Sequence, residues 1–348
     1  MEFPKEYFSS TLTKILSIDS PTGYTRGVVA EIKNIVENMG YTTGLTTKGN
    51  LVVDMPGANS NKTIGISAHV DTLGLMVRSI KSDGSLNFIP VGGAILPTLD
   101  GEYCKIYTRC GKIYSGTVLS NSPSSHVYPD AAKLEREAKN MHIRLDEIVK
   151  SKEDTQKLGI SVGDFICYEP KTVITETGFI KSRFLDDKLS AAIVLAALKH
   201  FKDSGKLPAF NTKIIFSTYE EVGHGLAHLP CAVDELLSVD MGCIGADLSC
   251  TEFDVSICAR DSSGPYDYEL TGRLLNLAKK AELNYALDIY PFYGSDTVAA
   301  LRAGHDARGG LIGPGVAASH GMERSHMSGC ENTFKLLCLY LGDDGTST

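Results

Sequence analysis

The sequence lacks the features that direct a chain to a membrane or to the export pathway. Its apolar run Ala191–Leu198 has eight residues, whereas a transmembrane helix needs about 20. The opening residues, MEFPKEYFSS, contain neither the basic block nor the apolar block of a signal peptide. We therefore expect a cytoplasmic protein without a membrane partner.

The sequence also lacks an excess of basic residues and any paired cysteine motif. Its net charge is -8, and nucleic-acid binding usually requires a basic face. We therefore expect no nucleic-acid partner. The nine cysteines include no CxxC pair, so we expect buried, reduced thiols rather than a zinc knuckle or a disulfide framework.

The pattern of apolar residues predicts an α/β fold with a second domain inserted into it. Strand-like and helix-like segments alternate at both ends of the chain, which indicates a mostly parallel sheet flanked by helices. Between them, short β-like pieces are separated by Gly, Pro, Asn and Ser, with one charged helix predicted at 131–141. We assign 1–72 and 181–348 to the first domain and 73–180 to an inserted, mainly β domain. The polar tail 342–348 is predicted to be disordered.

Acidic and histidine side chains recur where the predicted strands of the first domain end. Ligands of open α/β sheets gather at the carboxyl ends of the strands. The residues at these positions are His69, Asp71, Asp186, Asp187, Glu220, Glu221, Asp240, His320 and His326. Imidazole and carboxylate ligands without thiolates suit zinc, cobalt or manganese. The set is large enough to hold a pair of metals roughly 3.5–4 Å apart.

The order of these motifs resembles that of metallopeptidase family forty-two, within the dinuclear co-catalytic metallopeptidases. The family includes glutamyl, deblocking and TET aminopeptidases. The resemblance covers nearly the whole chain and is carried by SAHVDTLGLMV, KSRFLDDKLSAAIVL, STYEEVG, SVDMGCIGAD, PFYGSDTVAALRAG and SHGMERSHMSG. It implies a zinc-aminopeptidase-like fold and an aminopeptidase that removes N-terminal residues from short peptides.

The resemblance also implies a role for each site residue. One metal would be held by His69, Asp186 and Asp240, and the other by Asp186, Glu221 and His326. Asp186 would bridge the two metals and precede an often cis peptide bond to Asp187. Asp71 would orient His69, and Glu220 would be the general base for a metal-bridging hydroxide that acts as the nucleophile. Two divalent ions per subunit follow, zinc or cobalt, with manganese as an alternative.

Several alternatives stay open at this point. Asp247 rivals Asp240 as a ligand, and His320 rivals His326. His224 and His228 are spaced like a zinc pair but lack the adjacent glutamate of a zincin helix, so we interpret them as packing or lining residues. The GxSxG pattern around Ser161 lacks a following helix, which disfavours a serine nucleophile.

The resemblance also extends to assembly and leaves two other functions to consider. It implies a homo-oligomer, up to a twelve-subunit particle, formed through the inserted domain. It further implies that Ser295 and Asp296 shape the substrate pocket. The alternative functions are a related dinuclear carboxypeptidase or deacylase, and a catalytically silent scaffold.

Overall fold

The computed structural model describes residues 1–344 and divides the chain into two compact units. The first unit comprises Met1–Asp71 and the chain from Lys171 onward, and the second comprises Thr72–Pro170. Within residues 1–344, no helix combines the length and the apolar character needed to cross a membrane.

The helices and strands are as follows. The α-helices are α1 Lys5–Leu16, α2 Arg26–Asn38, α3 Lys152–Lys157, α4 Leu185–Ser204, α5 Tyr268–Lys280, α6 Asp296–Arg302 and α7 Met327–Gly342. The strands are β1 Thr42–Leu45, β2 Leu51–Met55, β3 Asn59–His69, β4 Gly74–Ile80, β5 Leu86–Val91, β6 Tyr103–Tyr107, β7 Ile113–Ser120, β8 Met141–Leu145, β9 Phe165–Tyr168, β10 Val173–Ile174, β11 Phe179–Ser182, β12 Phe210–Ser217, β13 Glu235–Val239, β14 Gly242–Cys243, β15 Val255–Asp261, β16 Gly264–Pro265, β17 Tyr285–Ile289, β18 Arg308–Val316 and β19 Glu323–His326.

The first unit is built around one mixed sheet in the order β1-β2-β12-β3-β13-β18-β15-β16. Its centre is parallel, because β12, β3, β13 and β18 all run in the same direction. Both flanks are antiparallel, at β2 on one side and β15 on the other. The predicted α/β fold with a mostly parallel sheet is confirmed.

Helix α4 packs against this sheet and lies in the core of the first unit. Every residue from Leu185 to Leu198 is buried, so the segment carries no polar face for solvent. Helices α1 and α7 pack against α4, and α4 itself contacts β3 and β18. This burial explains why the run Ala191–Leu198 is apolar throughout without being a membrane segment.

The boundary predicted at residue 181 lies ten residues too late. Strands β10 and β11 belong to the first unit because β11 pairs with β19, matching Phe179 with His326 and Ser182 with Glu323. The predicted tail is also partly wrong, since Gly342 ends α7 and Asp343 lies 3.6 Å from the Arg273 Nε atom. Residues 345–348 of that tail lie outside the described residues.

The second unit is a small closed barrel in the order β4-β5-β8-β7-β6-β9. Its predicted β character is confirmed, but the predicted helix at 131–141 is wrong. Turns and a short 3-10 segment occupy that stretch, and the Arg136 side chain donates to the carbonyl oxygens of Ala131 and Leu134. The helix of this unit is α3. Ser161 lies in the turn before β9 and hydrogen-bonds Asp164, so the GxSxG pattern forms no nucleophile elbow.

Candidate metal centre

The site lies along the carboxyl edge of the parallel strands. His69 is the last residue of β3 and pairs in register with Ser217, the last residue of β12. Glu220 and Glu221 follow β12 in a 3-10 turn, and Asp240 comes directly after β13. Parallel strands therefore bring three separated stretches of sequence to one edge.

The start of α4 supplies two more carboxylates. Asp186 and Asp187 are buried in its first turn, and both depart from helical backbone angles. The peptide bond between them is cis, as the resemblance implies. The carboxylate of Asp187 also accepts a hydrogen bond from the backbone N–H of His69, at 3.2 Å.

These side chains form two overlapping clusters of possible metal ligands. One contains His69, Asp186 and Glu221, and the other contains His69, Asp187 and Asp240, with ligand atoms in each cluster within 4.8 Å of one another. The His69 Nε2 atom lies 3.0 Å from Asp186 Oδ1 and 3.7 Å from Glu220 Oε2. Six of the nine acidic and histidine residues noted in the sequence are therefore neighbours in space.

His320 completes the side of the cluster that faces Glu221. Its Nε2 atom lies 3.5 Å from Asp186 Oδ2 and 3.5 Å from Glu221 Oε2. The backbone at His320 is left-handed, with a φ of 63°. This turn in the loop between β18 and β19 directs the imidazole toward the carboxylates.

The prediction that His326 joins the cluster is wrong. Its Nε2 atom lies 2.9 Å from the Thr177 carbonyl oxygen, and its ring packs against Phe179 and Phe253. Its Nδ1 atom accepts a hydrogen bond from the Ser328 backbone N–H and caps α7. Both ring nitrogens are therefore engaged outside the cluster, and the rival His320 occupies the predicted place.

Asp71 connects His69 to the turn that carries the two glutamates. The His69 Nδ1 atom lies 3.0 Å from the Asp71 carbonyl oxygen and 3.6 Å from its Oδ1 atom. The same carboxylate accepts hydrogen bonds from the backbone N–H groups of Glu220 and Glu221 and from the Thr22 hydroxyl. Asp71 thus fixes the orientation of an imidazole and of a backbone turn together.

Glu323 is a site residue that the sequence analysis missed. Its buried carboxylate accepts hydrogen bonds from the backbone N–H groups of Leu185 (2.6 Å), Asp186 (3.2 Å) and His320 (3.1 Å). It therefore links the start of α4 to the loop of His320. A single glutamate in the stretch MERSH resembles a surface residue, and only the pairing of β19 with β11 would have indicated that it is buried.

The carboxylates of the site are crowded and withdrawn from water. Burial, reinforced by neighbouring carboxylates, raises the pKa of Asp240 to about 7 and the pKa values of Glu220, Glu221 and Asp187 well above their usual range. Burial acts in the same direction on Asp186, but His320 and His69 outweigh it and lower the pKa of Asp186. The site therefore brings together carboxyl groups whose ionised forms need a nearby positive charge to be stable.

The residues present fit divalent metal ions. Asp187 Oδ1 and Glu221 Oε1 are buried without a hydrogen-bond partner, and such atoms are costly to bury unless something pairs with them. The donor atoms are oxygen and imidazole nitrogen, which suit zinc, cobalt or manganese. Asp247, by contrast, is exposed and belongs to neither cluster.

A cavity of about 320 Å³ opens beside these ligands. Its lining includes Asp186, Glu220, Glu221, Asp240 and His320, together with Ser295 and Asp296 at the start of α6. Phe292 and Arg302 also line this cavity. The space is large enough for an amino-acid side chain placed directly next to the candidate ligands.

The likeness to known proteins covers most of the chain. A family model of M42 glutamyl aminopeptidases matches residues 49–336. The Bacillus subtilis (strain 168) protein YhfE, whose name describes it as an aminopeptidase, is 45% identical over 331 residues, which are 95% of this chain and 96% of YhfE.

Two solved structures of peptidases share the fold. The TET aminopeptidase of the marine sediment archaeon Thaumarchaeota archaeon SCGC AB-539-E09 superposes with a TM-score of 0.86 at 21% identity, over 96% of each chain. The Pyrococcus horikoshii TET1 peptidase, described as assembling into a tetrahedron or a large octahedral shell, gives 0.81 at 21% identity, over 96% of this chain and 99% of the other.

The fold, the cluster of histidine and carboxylate ligands and the match over residues 49–336 lead to one conclusion. M42 peptidases are metallopeptidases, and their members hydrolyse peptides as aminopeptidases. This chain belongs to the M42 glutamyl aminopeptidase family.

Proposed function

We propose that the chain is a dinuclear metal-dependent aminopeptidase that removes N-terminal residues from short peptides. The observation that carries the proposal is the pair of overlapping ligand clusters at one edge of the sheet, next to a cavity of about 320 Å³. Family membership supports the aminopeptidase activity. It also favours this activity over carboxypeptidase or deacylase chemistry and over a silent scaffold.

Two metals would share Asp186. We assign His69, Asp186 and Asp240 to one ion, and Asp186, Glu221 and His320 to the other. The two oxygens of Asp186 face different imidazoles, with Oδ1 3.0 Å from His69 and Oδ2 3.5 Å from His320. Zinc or cobalt would suit these ligands, with manganese as an alternative. Bound there, such a pair would lower the pKa of water and stabilise negative charge on the scissile carbonyl oxygen.

Glu220 would move the proton. It lines the cavity, and its Oε2 atom lies 3.7 Å from His69 Nε2. Burial and the neighbouring carboxylates raise the pKa of Glu220, so its carboxylate form is a stronger base than that of an ordinary glutamate. A carboxyl group of this kind can accept a proton from water and pass it to the leaving amine. Asp71 would keep both His69 and the backbone of Glu220 in the positions that this transfer requires.

Replacing Glu220 tests the proposed base. We expect Glu220→Gln to lower kcat on aminoacyl-anilides by about 10²- to 10⁴-fold, because the amide cannot accept the proton. Metal content should stay near two ions per chain, since Glu220 is not an assigned ligand. Glu269→Gln, at an exposed position on α5, should behave as the wild type.

The same assay tests the reaction class. Wild-type protein should cleave aminoacyl-anilides and leave N-acylated amino acids intact. Turnover of the N-acyl substrates without the anilides would contradict the aminopeptidase assignment. Retention of most activity by Glu220→Gln would show that another group is the base.

We also propose that the chain forms a homo-oligomer through the inserted unit and acts in the cytoplasm. The fold likeness to a peptidase that assembles into closed shells supports the first part. The substrates would then be peptides short or unfolded enough to enter such a particle.

A further inference from the structure

The segment Tyr219–Gly225 carries both glutamates and has little internal support. Its regular part is one 3-10 turn, Glu220–Val222, and Val222, Gly223 and His224 are exposed. Two backbone hydrogen bonds close it, from Gly223 N–H to the Glu220 carbonyl oxygen and from His224 N–H to the Tyr219 carbonyl oxygen. A turn of this kind needs further contacts to keep Glu220 in one place.

The first such contact is between the rings at the two ends of the turn. Tyr219 and His224 stack with their ring centroids 5.0 Å apart and an angle of 21° between the planes. The two residues flank Glu220 and Glu221 in sequence. Their stacking therefore fixes the distance across the base of the turn.

The second contact comes from Lys48, in the hairpin between β1 and β2. Its Nζ atom donates to the His224 carbonyl oxygen and to the Gly225 carbonyl oxygen (3.3 Å), and it lies 3.0 Å from His224 Nδ1. The same ammonium lies 5.4 Å from the centroid of the Tyr219 ring. An ammonium group has three donors and no acceptor, so these partners match its capacity.

Asn50 in the same hairpin extends this support. Its amide donates to the Gly225 carbonyl oxygen at 3.0 Å, and its Oδ1 atom accepts from the Thr218 hydroxyl at 2.8 Å. The hairpin thus contacts the chain immediately before Tyr219 and again at Gly225. Asp71 holds the intervening N–H groups of Glu220 and Glu221 from the other direction.

We propose that Lys48 and His224 are positioning residues that hold Glu220 for proton transfer. The inference rests on the proposed function, in which Glu220 is the base. Lys48 acts on the backbone at the end of the turn, and His224 acts through its stacking on Tyr219. Neither residue lines the cavity beside the assigned metal ligands, and neither is an assigned ligand. This gives His224 a role other than metal binding.

Lys48→Met tests the proposal, with Lys48→Arg as the conservative variant. We expect Lys48→Met to lower kcat about tenfold to 100-fold, because small displacements of a reacting group are costly, while KM changes less than about twofold. Lys48→Arg should recover part of the loss, because a guanidinium also donates to carbonyl oxygens. Metal content should match that of the wild type in both variants.

Two further measurements separate positioning from general destabilisation. Amide hydrogen exchange at Gly223–Leu226 should become faster in Lys48→Met and stay slow in Lys213→Met. Lys213 is a matched control because its ammonium pairs with Asp54 across β12 and β2, away from the turn. His224→Phe should keep most of kcat because it keeps the stacked ring, whereas His224→Ala should not.

The proposal fails if Lys48→Met keeps the kcat and the exchange rates of the wild type. It also fails if Lys213→Met loses as much kcat as Lys48→Met, because the effect would then be one of stability. The exchange result is independent of the chemistry. Faster exchange in Lys48→Met together with full activity of Glu220→Gln would overturn the base assignment but would still show that Lys48 stabilises the turn.

Discussion

Asp186 occupies the centre of the site because each of its two oxygens faces a different imidazole. Glu323 fixes the position of this residue by binding the backbone N–H groups of Leu185 and Asp186. The same Glu323 carboxylate holds the backbone of His320. The two sides of the proposed dinuclear site are therefore connected through one buried glutamate as well as through Asp186.

A pair of histidine variants tests which imidazole binds metal. We expect His320→Ala to reduce the metal content from two ions per chain toward one and to abolish most activity, because the second ion loses one of three side chains. His326→Ala should keep both ions. Its cost should be about 1 kcal/mol of stability, through loss of the α7 cap.

Metal analysis of the purified variants and their thermal unfolding give the two readouts. Loss of metal from His326→Ala with full loading of His320→Ala would restore the ligand set first expected from the sequence and contradict the structure-based assignment.

Most of the candidate site was predictable at the level of single residues. His69 ends a strand, Glu221 and Asp240 follow strands and Asp186 opens a helix, and the order of these residues along the chain is informative. The choice between His320 and His326 was not predictable, because the two are only six residues apart in sequence and the outcome depends on the left-handed backbone at His320. Glu323 was missed because its partners are backbone N–H groups, which leave no sequence pattern.

At the scale of elements, Glu235 ties three other elements to the start of β13. Its buried carboxylate accepts hydrogen bonds from Lys62 in β3, Arg273 in α5 and Tyr340 in α7. Burial raises the pKa of Glu235, but these partners outweigh it, and the net pKa lies below the usual 4.5. The charged form of Glu235 is therefore the form that stabilises the fold.

This arrangement predicts a pH-dependent loss in Glu235→Gln. Because the pKa is lower in the folded state, the stabilisation is fully present above the unfolded pKa of about 4.5 and is lost as the pH falls through the folded value. At pH 7 we expect Glu235→Gln to lower the free energy of unfolding by about 1–3 kcal/mol. The difference from wild type should shrink in acid.

Chemical denaturation of both proteins at several pH values gives the comparison, with Glu269→Gln as an exposed control. A difference that grows as the pH falls below 4.5 would contradict this account of Glu235.

The elements themselves were predicted best where apolar residues were densest. Burial leaves a nearly continuous run of apolar residues in α4 and in β13, and such runs made the alternation of helices and strands visible in the sequence. The prediction of a helix at 131–141 was wrong. The charged residues of this stretch favour a helix, but the Arg136 side chain instead binds backbone carbonyl oxygens in a turn. The short strands β10 and β11 could be assigned to a unit only through their pairing with β19.

At the scale of the whole molecule, the proposal of a homo-oligomer predicts the mass in solution. The chain has a mass of 37.5 kDa. A twelve-subunit particle, as in a dodecameric TET structure of the same fold, would have a mass of about 450 kDa. Light scattering after size-exclusion chromatography measures this directly, and a mass of 37.5 kDa at micromolar concentration would contradict assembly.

The order of the sheet has a consequence for how the enzyme is made on the ribosome. Strand β3 pairs with β12 and β13, so its neighbours are translated long after His69. At about 5–20 residues per second, the roughly 250 residues between His69 and His320 take about 13–50 s to synthesise. Until then the nascent chain lacks the complete set of proposed ligands. Proteolytic activity is therefore withheld until nearly all of the described chain has been synthesised.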